Sequence, residues 1–134
     1  MQRIPSLFIA PSPLGGRGVF TAAPIPMGSL IEVCPVIALS GKDRGQIDRT
    51  GLYDYYFIWG EEDQQCAIAL GYGSLYNHSF EPNAEYRADF DGLTLDFYAL
   101  KDIEAGEEVT VNYNGDPDNK EKVWFRPRQT SRPK

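Results

Sequence analysis

Ten prolines and thirteen glycines cut this 134-residue chain into short pieces. Proline fixes φ and removes a backbone donor, and glycine weakens a helix or strand from within. Spacing of this kind leaves no room for a long amphipathic helix. The pieces between the breakers are rich in β-branched and aromatic residues: Gly18 to Thr21, Ser29 to Leu39, Tyr53 to Trp59, Gln65 to Ala69, Ala84 to Phe90, Leu93 to Leu100 and Glu108 to Tyr113. Short runs bounded by turn residues predict a mainly β domain. In Leu93-Thr94-Leu95-Asp96-Phe97-Tyr98-Ala99-Leu100 the odd positions are mostly apolar, as a half-buried strand requires. Asp91-Gly92, between two of the runs, predicts a two-residue hairpin turn. A short helix is expected over Gly41 to Thr50, with helical turns near Gly73 to Tyr76 and Asp118 to Val123.

The length suits a single domain over residues 1–134, and a hydrophobic content of 42% suffices for a core. No run approaches the roughly 18 apolar residues that a membrane helix needs. Met1-Gln2-Arg3-Ile4-Pro5 lacks the charged-then-apolar pattern of a signal peptide. A soluble, cytoplasmic protein is therefore expected, with a secreted effector or a protein targeted to a host nucleus as the alternatives. The net charge of -6 and pI near 4.7 argue against direct nucleic-acid binding, which normally shows a basic face. They suit a basic partner such as a lysine-rich tail, and equally serve plain solubility. Cys34 and Cys66 are too few for a disulfide framework or a four-cysteine zinc site, so two reduced structural thiols are expected. His78 is the only histidine, which argues against a histidine-based metal site. Asp116-Pro117-Asp118-Asn119 with Glu121 lacks the glycine and spacing of a calcium loop and reads as solvated turn carboxylates.

Four segments carry residues with chemical potential. In Pro13-Leu14-Gly15-Gly16-Arg17-Gly18-Val19-Phe20, a Gly-x-Gly turn lets backbone groups approach a ligand, though a plain hairpin turn explains it as well. In Asn77-His78-Ser79-Phe80-Glu81-Pro82-Asn83, the asparagine amide offers both a donor and an acceptor. A lone histidine is more often a satisfied structural side chain than a functional one. Gly106-Glu107-Glu108-Val109-Thr110-Val111-Asn112-Tyr113 ends an amphipathic strand in a tyrosine, a residue that often only packs there. The cluster Tyr53, Tyr55, Tyr56, Tyr72, Tyr76 and Tyr86 is expected mostly in the core or on strand faces.

The second and third segments, in this order and at this separation, resemble the paired signatures of the SET-domain family of protein-lysine methyltransferases. The likeness runs from about Ser12 to Arg128, with residues 129–134 a frayed basic tail. A minimal viral member of the family shares Ser12-Pro13-Leu14-Gly15-Gly16, Ala69-Leu70-Gly71 and Arg126-Pro127-Arg128. The resemblance implies a β-clip fold of short strands, small sheets and few short helices, with a C-terminal pseudoknot. It implies S-adenosyl-L-methionine as cofactor and S-adenosyl-L-homocysteine as product. Gly16, Arg17 and Gly18 would hold the amino-acid end of that cofactor. Backbone groups of Asn77 and His78 would meet its adenine, and the Asn77 amide its methionine part. Tyr113 would be the catalytic tyrosine, beside the cofactor. Trp124 or Phe125 would lie over the adenine, in place of the zinc-binding cysteines that follow many SET domains.

Tyr86 and Tyr55 are implied for the channel that admits the substrate lysine. Val111, two residues before Tyr113, falls where the family sets the number of methyl groups. It is small and cannot hydrogen-bond, so repeated methylation is expected. A lysine-bearing basic protein or histone tail is the implied substrate class, and a homodimer is implied by the viral member. The competing functional reading is a catalytically silent SET-like module that holds a peptide. Two features depart from the viral pattern: Arg17 stands where that member has tyrosine, and Asn114-Gly115-Asp116-Pro117-Asp118 lengthens the turn after Tyr113.

Overall fold

The computed structural model describes residues 2–60 and 64–113. The expected helical turn at Asp118 to Val123, the acidic turn with Glu121, Trp124, Phe125 and the basic tail lie outside the described residues. Nine strands are described: β1 (Leu7–Pro11), β2 (Arg17–Thr21), β3 (Leu30–Leu39), β4 (Phe57–Trp59), β5 (Gln65–Ala69), β6 (Asn77–His78), β7 (Ala84–Asp89), β8 (Thr94–Ala99) and β9 (Glu108–Val111). One short helix, α1 (Gly41–Ile47), and two 3-10 turns (Gly51–Asp54 and Gly73–Leu75) complete them. The mainly β class expected from the prolines and glycines is the one observed.

The strands form two small sheets, in the orders β1-β2-β9-β6 and β4-β5-β3-β8-β7. β3 organises the larger sheet by changing partners along its length. Leu30 to Pro35 run antiparallel to β8, and Val36 to Leu39 antiparallel to β5. Pro35 stands at the changeover, where a residue without an N–H interrupts least. Its carbonyl accepts the Leu70 N–H at 2.9 Å. The alternation read in β8 holds, since Leu95, Phe97 and Ala99 all face the core. They pack there with Ile31, Cys34, Tyr76, Val109 and Val111. Both cysteines are buried free thiols, as expected. Burial and the neighbouring Glu32 carboxylate push the Cys34 thiol far above its ordinary value, which suits a packing role.

The local expectations fared unevenly, for identifiable reasons. α1 starts as read, because the Ser40 hydroxyl accepts the Asp43 N–H at 3.1 Å. It stops at Ile47, whose carbonyl takes the Thr50 hydroxyl at 2.7 Å. The run from Tyr53 to Trp59 is strand only from Phe57. Its first part is a 3-10 turn, because Thr50 caps it by accepting the Leu52 N–H. The β7–β8 hairpin exists, but Asp89 pairs with Thr94, so the loop spans residues 90–93 and not Asp91-Gly92 alone. The Asp89 carboxylate captures the Gly92 N–H at 2.9 Å and starts the turn early. The left-handed residue is then Leu93, at φ 57°. β1 and the two-residue β6 carry no readable period. They are strands because neighbours pair with them.

β9 is the structural key to the smaller sheet. It lies between β2, antiparallel to it, and β6, parallel to it. The last described strand is thus interior, flanked by two strands that precede it in sequence. This is the expected SET-like arrangement. Asn83 holds it there. Its amide nitrogen donates to the Glu108 carbonyl at 2.8 Å, and its amide oxygen accepts the Thr110 N–H at 2.9 Å. The Asn83 carbonyl also accepts the Leu100 N–H at 2.8 Å. One side chain therefore ties the loop after β6 to the β9 backbone. Asn83→Ala should destabilise the fold by about 2 kcal/mol, because it strands two backbone groups at a buried site. Urea unfolding of the variant, with an unchanged m-value, is the measurement that checks this.

Candidate active site

The turn after β1 closes on itself before β2 begins. Ser12 N–H donates to the Gly16 carbonyl at 2.9 Å, and the Ser12 hydroxyl accepts the Leu14 N–H at 2.9 Å. Gly15 and Gly16 take φ values of 118° and 58°, a region that strongly favours glycine. The turn brings the Arg17 carbonyl and the Ser12 hydroxyl beside Asn77 and Glu108. Asn77 Nδ2 donates to the Arg17 carbonyl at 3.1 Å and to Glu108 Oε2 at 2.7 Å. Ser12 Oγ donates to Glu108 Oε1 at 2.6 Å. Gly18 makes room for this cluster. A Cβ there would run into the Glu108 carboxylate and lie 2.9 Å from Asn77 Nδ2. The Gly-x-Gly signal therefore has two physical origins: left-handed backbone at Gly16, and close side-chain approach at Gly18.

A second cluster adjoins the first through β6. Asn77 pairs with Thr110 and His78 with Val111, so Tyr113, two residues past Val111, lies beside His78. His78 Nδ1 accepts the Tyr113 N–H at 3.0 Å. That bond sets the orientation of the imidazole ring against the Tyr113 main chain. The Tyr113 ring lies 5.1 Å from the His78 ring, and its hydroxyl donates to the Tyr76 carbonyl at 2.6 Å. Phe80 meets the imidazole in an edge-to-face arrangement, at 4.4 Å.

Tyr86 reaches the same place from β7. Its hydroxyl donates to the Tyr113 carbonyl at 3.3 Å. Its ring meets Phe57 edge-on at 4.9 Å and Phe97 at 5.8 Å. Burial pushes the Tyr86 phenol well above its ordinary value, so it stays a neutral donor. The structure thus gathers Gly16, Arg17, Gly18, Asn77, His78, Tyr86 and Tyr113 into one connected region. Val111 is fully buried in the core, paired with His78. Tyr55 caps the 3-10 turn at Gly51–Asp54 and is half-buried; Phe57 and Phe97 both pack on Tyr86. Trp124 and Phe125 lie outside the described residues. Four residues that build the region had no site role in the sequence reading: Ser12, Tyr76, Asn83 and Glu108. All four sat inside named segments or clusters, but only the tertiary structure reveals their partners.

Among the described residues no group of three or more histidine, cysteine or acidic side chains is placed to hold a metal ion. No described helix is long and apolar enough to cross a membrane. The donor set instead suits an organic ligand with a charged end. Turn backbone at residues 15–17 and a carboxylate at Glu108 offer acceptors, and the segment at Asn77-His78 adds main-chain groups. Gly18→Ala should disrupt this cluster, because Glu108 is pinned by two hydrogen bonds and cannot swing clear. A loss of about 1–3 kcal/mol is expected from the forced shift. A thermal melt reading no change would show the carboxylate to be freer than its contacts indicate.

The family model for the SET domain matches residues 16–114. The chain is 33% identical over 117 residues to a Schizosaccharomyces pombe histone-lysine N-methyltransferase specific for H3 lysine-37; this covers 87% of the chain and 74% of the relative. It is 29% identical over 109 residues to an H3 lysine-36-specific histone-lysine N-methyltransferase of Cryptococcus neoformans, 75% of the chain but 13% of that longer protein. Among solved structures, a Plasmodium falciparum protein assigned as a candidate histone methyltransferase superposes with a TM-score of 0.67 at 30% identity. That match covers 84% of this chain and 95% of the other. A chain of the Chaetomium thermophilum Polycomb Repressive Complex 2, in a humanized mutant, shares the fold at a TM-score of 0.71 and 21% identity. It covers 84% of this chain and 15% of that one. With the turn at Gly16, the strand pair at Asn77-His78 and Tyr113 after β9 all in the matched span, the chain belongs to the SET-domain family.

Proposed function

We propose that this protein is an S-adenosylmethionine-dependent protein-lysine N-methyltransferase acting on a basic protein or histone tail. The observation that carries the reading is the convergence on β9 of two clusters. One is Gly16, Gly18, Asn77 and Glu108, and the other is His78, Tyr86 and Tyr113. The histone specificities named for the relatives favour the same substrate class. The chain's charge of -6 complements a lysine-rich tail.

The residues fit the implied cofactor. Its ammonium would find carbonyl and carboxylate acceptors at Arg17 and Glu108, and its adenine the main chain of Asn77 and His78. When bound, that cofactor supplies an electrophilic methyl group on a sulfonium. The protein's own work is alignment. A free lysine has a pKa of about 10.4, and only the neutral amine attacks. The half-buried aromatic wall of Tyr86 and Phe57 favours the lysine stem and, by desolvation, disfavours its charged form. Tyr113 presents a hydroxyl whose direction is set by the Tyr76 carbonyl. Positioned groups of this kind account for the rate without an acid–base pair.

Incubation with a histone mixture and the cofactor, read by mass spectrometry, is the direct test. Methylated lysine is expected; peptide binding without methyl transfer would leave the chain a silent SET-like module. Tyr113→Phe should retain cofactor binding and lose about 10²-fold in turnover. Single-turnover kinetics beside calorimetry separate the two effects. Asn77→Ala should weaken cofactor binding by about 1–3 kcal/mol and affect peptide affinity much less, since it releases both the Arg17 carbonyl and Glu108. Titration of each ligand by calorimetry reads that difference.

A further inference from the structure

Tyr76 joins two hydrogen-bonded groups from separate parts of the fold, one on β3 and one just after β9. Its carbonyl accepts the Tyr113 hydroxyl at 2.6 Å. Its own hydroxyl donates to Glu32 Oε1 at 2.7 Å. Glu32 belongs to β3 and is 2% exposed. Its other oxygen accepts the Tyr72 N–H at 3.0 Å and lies 3.4 Å from Arg3 Nη1. The Arg3 guanidinium in turn stacks over the Tyr72 ring at 3.8 Å. A buried carboxylate with three donors around it is a fixed point, because leaving any of them costs a desolvated charge.

The ring of Tyr76 is held as firmly as its hydroxyl. It is 1% exposed and stacks on Phe97 at 4.4 Å with an interplanar angle of 19°. Phe97 also touches the Tyr86 ring. On the main-chain side the next residue, Asn77, is paired to Thr110 of β9. A rigid side chain with two rotatable bonds thus runs from a buried anchor to the peptide unit between residues 76 and 77. That one unit carries the acceptor for Tyr113 and leads directly into Asn77. A packing role alone explains a partner for the buried phenol. It does not place the far end of the same residue on the Tyr113 hydroxyl.

We propose that Tyr76 is a positioning residue: its hydrogen bond to Glu32 fixes the carbonyl that orients the Tyr113 hydroxyl for methyl transfer. This rests on the reading of Tyr113 as the tyrosine that meets the substrate amine. Tyr76→Phe keeps the ring, the stacking and the carbonyl, and removes only the anchor. A small shift of a reacting group is costly, so kcat should fall about tenfold with both KM values within about twofold.

The test compares Tyr76→Phe with Val36→Ala, a core substitution in the part of β3 that pairs with β5, and with Tyr113→Phe. Each is measured for kcat, KM and melting temperature. In parallel, NMR of protein isotope-labelled at the tyrosine ζ-carbons follows the Tyr113 signal, assigned by its loss in Tyr113→Phe. The expected result is a kcat loss and a moved Tyr113 signal in Tyr76→Phe. Val36→Ala should lower the melting temperature while leaving both unchanged. Wild-type kcat or an unmoved Tyr113 signal in Tyr76→Phe overturns the proposal, as does an equal kcat loss in Val36→Ala. Full activity in Tyr113→Phe would instead overturn the catalytic assignment, and a moved signal would then still show the coupling. If Tyr76→Phe does not fold, Glu32→Gln weakens the same hydrogen bond from its other end and must show the same pattern.

Discussion

The parallel pairing of Asn77-His78 with Thr110-Val111 is the contact on which the rest of the site depends. Two residues make a weak ladder by themselves. They hold because β9 is bound on its other edge by β2 and over its backbone by the Asn83 amide. Loop closure across some thirty residues costs only a few kcal/mol, since that cost grows slowly with length. The return is that every residue of the candidate site sits on, or next to, one short buried strand. Turn, amide, imidazole and phenol are brought together by β9 and not by proximity in sequence.

Two carboxylates do most of the internal wiring. Glu108 binds the Ser12 hydroxyl and the Asn77 amide, so it joins the glycine turn to the strand pair. Glu32 binds the Tyr76 hydroxyl, the Tyr72 N–H and Arg3, so it joins the larger sheet to the same strand pair. Hydrogen bonds to a charged acceptor are stronger than neutral ones, and a buried charge left short of partners is expensive. An acidic chain thus uses part of its charge inside the fold.

The fold class was legible because proline and glycine spacing and period-2 alternation are local signals. β8 is the clear case, with Leu95, Phe97 and Ala99 inward as read. Elements whose existence depends on a partner were not legible. β6 is two residues long, and the left-handed turn residue is Leu93, because Asp89 took the Gly92 N–H. Tyr53 to Asp54 looked like strand until a threonine cap turned the chain into a 3-10 helix.

For the site, the sequence by itself determined the residue types and their order: glycine turn, asparagine and histidine, then Tyr113. Those follow from chemistry that must be encoded locally, since a left-handed glycine or a two-way amide has few substitutes. Only the tertiary structure decided their mutual geometry. It showed that Gly18 is small to admit Glu108, and that His78 takes the Tyr113 N–H. It also showed that the Tyr113 hydroxyl rests on the Tyr76 carbonyl. These contacts join residues from about 35 to 90 positions apart. No local pattern encodes them, because they exist only once β9 lies between β2 and β6.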